Sequence, residues 1–239
     1  MFYFDPLYLV LTGIGLVVTL WAQFRVKSAF ARFAKVGVRA GMTGAEAAAA
    51  VARAGNAAGI KIERHQGFLS DHYDPRTRTL RLSPDVHDGR SVSSIAVAAH
   101  EAGHAIQHAV AYPALGFRSA LVPIANIGNT LWPMPFFLGA VLAGSQGAAP
   151  GSAAQLLMNL GILMFAGVVV FQMVTLPVEF DASRRAKAVL AQAGIVQTPE
   201  EARGVDKVLD AAAMTYVAAA LAGVLQLLYL LLRANQRRE

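Results

Sequence analysis

Cysteine is absent from all 239 residues, which excludes disulfides and thiolate metal sites and leaves histidine and carboxylates as the strong metal donors. Charge is scarce too, at 15% against 55% hydrophobic residues with a mean hydropathy of +0.45, a balance too apolar for an ordinary soluble domain. No internal repeat occurs, and no low-complexity tract beyond alanine enrichment. No Lys or Arg precedes the first apolar run and no small-residue cleavage signature follows it, so that run reads as a retained anchor and not a signal peptide.

What is there in quantity is long apolar sequence. Residues 7–24, 121–143, 156–176 and 211–232 each come near the roughly 20 residues needed to cross the hydrocarbon core. The second is interrupted by Pro123, Asn126, Asn129, Pro133 and Pro135 and is expected to cross as a kinked helix whose polar residues face protein. Of the 21 Lys and Arg, 13 lie between Arg25 and Arg118 and 5 between Pro177 and Asp210, two stretches that a four-span path puts on one side. The positive-inside rule makes that side cytoplasmic, with residues 1–24 and the loop 144–155 outside. Arg233, Arg237 and Arg238 run against this, since the same path exports them. A net charge of +6 and a pI near 9.9 are explained by anionic lipid headgroups, because the basic residues flank apolar spans and mix with acids; nucleic acid is not an expected partner.

The expected organisation is therefore a membrane protein, mainly α with a small β-sheet. It divides into an anchor (1–24), a polar part (25–118), a transmembrane hairpin (119–176), a second polar segment (177–210) and a last span with its tail (211–239). In the first polar part, Thr43 and Glu46 form a capping-box signature opening a helix to about Arg53, closed by Gly55 and Asn56. Strand-like runs follow at 60–63 and 67–73, with a turn at 74–76. Residues 77–83 read best as a strand, with Arg78 and Arg81 suiting an exposed edge. After Pro84 a loop leads to Ser91, the expected N-cap of a helix from Val92 to about Val110.

That helix carries His100-Glu101-Ala102-Gly103-His104, an HExxH motif. The i, i+4 spacing brings both imidazoles to one face, where they can ligate a single zinc while Glu101 leans over the metal's water. With six histidines in the whole chain, chance is a poor account of this spacing; a metal held only for structure, or packed histidines, remain alternatives. The motif enters from a polar loop containing Asp85, His87, Asp88 and Arg90, which argues against proteases that carry HExxH inside a span, and no NPDG-like partner motif occurs. The metzincin pattern fails, because Gln107 and Val110 stand where Gly and His would be required. A third ligand must come from elsewhere: Glu179 is favoured because glutamate completes a His₂Glu catalytic set, and Asp181 is its rival, facing differently by helical rotation.

The segments GFLSDHYDP (67–75), RLS (81–83), VAAHEAGHAIQH (97–108), LPVEFDAS (176–183) and VLDAAAMTYVAA (208–219) resemble the YugP-type membrane zinc metallopeptidases of bacteria over nearly the whole chain. The resemblance implies a gluzincin-like site related to HtpX-type membrane proteases, with a zincin-like core, one Zn²⁺ per chain and Glu179 as third ligand, in the bacterial inner membrane; the charge placement above puts that site on the cytoplasmic side. One departure is Ser183, where HtpX-like enzymes tend to have aspartate. On this reading the metal lowers the pKa of its water to about 7 and Glu101 takes the proton. His72, Tyr73 and Tyr216 are candidate oxyanion donors, and His108 is a candidate for orienting a ligand. An edge strand carrying Thr77, Thr79 and Arg81 is expected to pair with an extended peptide. Because Glu179 follows a span closely, the expected substrates are membrane proteins or membrane-proximal tails, with the bilayer as the other partner. A non-catalytic zinc-binding membrane adaptor is the alternative, and oligomeric state is not readable.

Overall fold

The longest unbroken apolar runs become the longest helices of a computed structural model that describes residues 5–67, 70–146, 149 and 151–235. Helix α1 spans Pro6–Phe33, opened by an Asp5 carboxylate that accepts from Leu7 N at 3.0 Å. Helices α5 (Pro113–Leu131) and α6 (Pro133–Gln146) meet at Trp132 and share one candidate span, where a single kinked helix was expected. Pro133 supplies no amide, so the chain breaks at Trp132 and restarts with a proline at its first turn. Helix α7 covers Ala153–Gln192 and α8 covers Pro199–Asn235; with α1 and the α5–α6 pair they make four segments long and apolar enough to cross a membrane. The chain is thus a mainly α membrane protein with one small sheet.

One compact unit comprises Met1–Trp21, Phe117–Thr175 and Tyr216–Glu239. Its interior is Phe136, Met158, Ile162, Phe165, Val168 and Tyr229, with the Trp132 and Phe165 rings 4.8 Å apart. Its outside stays apolar: Val17, Val141 and Leu163 are 66%, 70% and 70% exposed, a surface suited to acyl chains and costly in water.

The second unit comprises Ala22–Gly116 and Leu176–Thr215. Helix α2 (Gly44–Ala54) carries the capping box, Thr43 accepting from Glu46 N and Glu46 from Thr43 N. Strands β1 (Lys61–Arg64), β2 (His72–Asp74) and β3 (Thr79–Leu82) form a sheet in the order β1-β3-β2, β1 parallel and β2 antiparallel to β3. The strand expected over 67–73 is thus shorter, and Phe68 and Leu69 lie outside the described residues. A short helix α3 (Pro84–His87) replaces part of the expected loop, and α4 (Val92–Ala109) follows with Ser91 accepting from Ser94 N. Val51, Leu80, Leu82, Val92, Ile95, Leu190 and Leu209 are buried together, so α2, the sheet, α4 and the ends of α7 and α8 share one core.

The strand order corrects the edge assignment. β3 is central, with Thr79, Leu80 and Leu82 buried, and Thr77 lies in the preceding turn. Arg81 does not guard an edge; it reaches Asp74 on β2 at 3.2 Å and Glu63 on β1 at 3.7 Å, bridging both neighbours. Hydrogen bonding from Arg81 and Thr77 holds the Asp74 carboxyl down at about 2.

Candidate metal centre

Helix α4 is an inner helix of its unit because alanines and a glycine occupy the turns around its histidines. A Cβ built on Gly103 would meet the Ala182 carbonyl oxygen at 2.5 Å, so only glycine lets α7 pass this close. The same crossing brings the α7 segment Val178–Ser183 against the turn holding His100 and His104.

His100 Nε2 lies 3.2 Å and His104 Nε2 3.5 Å from Glu179 Oε2, with the two rings 4.9 Å apart and nearly perpendicular. Donor atoms of all three residues fall within 4.8 Å of one another, and Glu179 is only 2% exposed. Zinc bonds of roughly 2.0–2.1 Å in tetrahedral geometry separate neighbouring donors by about 3.3 Å. The two His–Glu separations, 3.2 and 3.5 Å, match it, and the donor set fits a borderline-soft divalent ion.

The remaining ring nitrogens are held from behind. His100 Nδ1 pairs with Ser183 Oγ at 3.0 Å, and His104 Nδ1 with Gln107 Oε1 at 3.0 Å. Gln107, itself fully buried, donates from Nε2 to the Val178 carbonyl at 2.8 Å and to Asp181 Oδ2 at 2.9 Å. With Nδ1 committed backwards, each imidazole turns Nε2 towards Glu179. Asp181 is thereby accounted for: it faces Gln107, Arg184 and Arg185 and not the donor cluster, as its rotation from Glu179 on the helix requires.

Glu101 is 8% exposed, and burial pushes its carboxyl up, against the pull of His100 and His104 and with the push of Glu179 and Asp71. Burial opposes charge on His104 as well, but the Glu179 carboxylate outweighs it and holds the imidazole above its ordinary value. The cluster therefore favours positive charge between these three side chains, supplied by a proton or by a cation.

The other residues named from sequence are dispersed. Tyr73 O and His108 Nδ1 pair at 2.8 Å, one helical turn beyond His104. His72, on the opposite face of β2, contacts the Ser70 carbonyl and the His65 ring. Tyr216 lies on α8 within the other unit. Sequence reasoning passed over Gln107 and Asp71. Gln107 is readable as the i+3 neighbour of His104; Asp71, which accepts from Ser83 N at 2.7 Å and from Ser83 Oγ at 3.0 Å, has no local signal.

Apolar spanning helices with a buried His₂Glu donor set beside a second, protected carboxylate define the class of membrane zinc metallopeptidases. The chain belongs to the family described as "Putative neutral zinc metallopeptidase", which it matches over residues 8–235. It is similar to "Putative membrane protease YugP" of Bacillus subtilis (strain 168), 44% identical over 234 residues, covering 98% of this chain and 99% of that protein. No solved structure matches.

Proposed function

We propose that the chain is a zinc-dependent endopeptidase that hydrolyses peptide bonds of membrane or membrane-proximal proteins at the cytoplasmic face. The observation that carries this is the convergence of His100, His104 and Glu179 beside Glu101. His100, His104 and Glu179 would hold the ion. Bound zinc supplies Lewis-acid polarisation of the scissile carbonyl and acidifies water. Glu101, raised in proton affinity by burial, accepts the proton of the attacking water and returns it to the leaving amine. Ser183 and Gln107 keep both imidazoles oriented throughout. An extended substrate is best accommodated on β2, an edge strand that lies against α4 through Tyr73 and His108. Proximity to the bilayer is supported by Glu179 lying on α7, a candidate membrane span, within about one helical turn of the end of the apolar run 156–176.

The test is Glu101→Gln in the full-length protein. The variant should bind zinc as tightly as wild type and lose at least about a hundredfold in cleavage of itself or a substrate. Retained cleavage would remove the general base from the reading, and a wild type that cleaves nothing while binding zinc would reduce the site to a structural one.

A further inference from the structure

One turn along α4 from His104 a cavity of about 250 Å³ opens in the same unit, lined by Asn56, Ile60, Tyr73, Arg78, Ala105 and His108 among others. No acidic residue lines it among the described residues. Its polar groups come from three separate places: the loop after α2, the β2–β3 hairpin and α4. Arg78 makes no ion pair among the described residues and stands close enough to act on the Tyr73 hydroxyl, which burial pushes up, the Arg78 cation pulls down and the Asp74 carboxylate, itself held by Arg81, pushes up. The Tyr73–His108 pair also keeps a donor in reserve. If the hydroxyl donates to Nδ1, the ring retains Nε2–H; if Nδ1–H donates, the hydroxyl proton is left over.

The backbone points to the same place. Asn56 and Arg78 both have left-handed backbone, with φ of 61° and 51°. Asparagine tolerates this, whereas a hairpin ending in a left-handed residue ordinarily uses glycine, and an arginine there keeps a guanidinium at the cavity despite steric cost. Four residues of helix amount to about 6 Å along its axis, which an extended peptide spans in about two residues.

We propose that this cavity is a carboxylate subsite, which takes either an Asp or Glu side chain or the terminal carboxylate of a peptide lying along β2. The proposal rests on the peptidase reading above and deepens it by naming the substrate chemistry: peptides with an acidic group within about two residues of the scissile bond. Arg78 supplies charge and paired N–H donors, and the Tyr73–His108 pair supplies a further hydrogen bond.

The experiment uses the zinc-loaded full-length protein in lipid nanodiscs. Sites cut in a peptide library are mapped by mass spectrometry and rebuilt as matched peptides carrying Glu or Gln near the cut, each with a free or an amidated C-terminus. Wild type should favour the carboxylate member roughly tenfold in kcat/KM, the Glu/Gln arm reporting a side-chain ligand and the free/amidated arm a chain terminus. Arg78→Gly should shrink that ratio towards one without lowering the unfolding temperature, since glycine relaxes the left-handed backbone, and Arg78→Glu should shift preference to Lys. Equal rates in both arms, or a ratio unchanged in Arg78→Gly, would overturn the subsite. Fluorescence anisotropy of matched Glu/Gln and free/amidated peptides of fixed sequence, chosen without reference to cleavage, on zinc-loaded Glu101→Gln reads the cavity without turnover. Carboxylate-selective binding, together with a wild type that binds zinc and cuts nothing, would sink the peptidase reading and keep the subsite; unselective binding would sink the subsite.

Discussion

At the scale of single residues, the centre depends as much on what lies behind the imidazoles as on the donors themselves. His104 is fixed through a buried amide, and that amide is fixed in turn by Val178 and Asp181. Gln107→Leu conserves volume approximately but removes the acceptor for Nδ1–H and leaves Asp181 with one partner fewer. Such second-layer partners typically carry about 10–100-fold in metal affinity. Zinc affinity measured by chelator competition should fall by that factor, while the unfolding temperature of the metal-free protein falls only modestly. An unchanged affinity would mean that packing alone orients His104. Ser183 performs the matching task for His100 with a neutral hydroxyl, whereas the Asp181 carboxylate reaches His104 through Gln107.

At the scale of elements, the critical event is the crossing of α4 and α7. Gly103→Ala forces a methyl group onto the Ala182 carbonyl, and overpacking of this kind costs about 1–3 kcal/mol. Because Glu179 lies one turn before Ala182, the same shift should draw the third donor away, so stability and zinc affinity should fall together. Gly116→Ala, whose Cβ meets nothing within 4 Å, is the matched control and should leave both unchanged. Thermal unfolding with and without added zinc separates the two effects. The elements themselves were legible to different degrees. Apolar length announced the four spanning segments, and Ser91 and the Thr43–Glu46 box announced the starts of α4 and α2, because these signals are local. Spacing pointed to the motif histidines, while residue type left Glu179 and Asp181 as rivals and the family resemblance fell on Glu179; the fold brings Glu179 to the two histidines as a group that could hold a metal ion. Strand order could not, since β1 pairs with β3 in parallel across the intervening β2, and nothing in residues 77–83 distinguishes a central strand whose arginine has partners on both sides from an edge guarded by charge. For Gln107 the i+3 spacing from His104 is a local signal, but the partners that fix its amide, Val178 and Asp181, lie far off in sequence.

At the scale of the whole molecule, the proposed sidedness rests on where cations can be left. Two basic stretches hold 18 of the 21 Lys and Arg, and retaining both on the cytoplasmic side leaves only the C-terminal arginines to be exported. One of these is compensated: Arg233 pairs with Asp5 at 3.4 Å, and Asp5 also accepts from the Tyr229 hydroxyl at 3.1 Å. On the proposed path the pair would lower the cost of carrying Arg233 outward, and it places residues 5 and 233 together, as an even number of crossings would require. The absence of cysteine makes this directly measurable, because a single introduced thiol has no background. Ser152→Cys, in the short loop before α7, should react with a membrane-impermeant maleimide on intact cells. Arg53→Cys, exposed on α2 in the unit that holds the metal centre, should react only after permeabilisation. The reverse pattern would put the centre outside. Labelling of both positions in intact cells would mean that one of the four apolar segments does not cross, and with it would go the argument that the peptidase meets its substrates at the cytoplasmic surface of the bilayer.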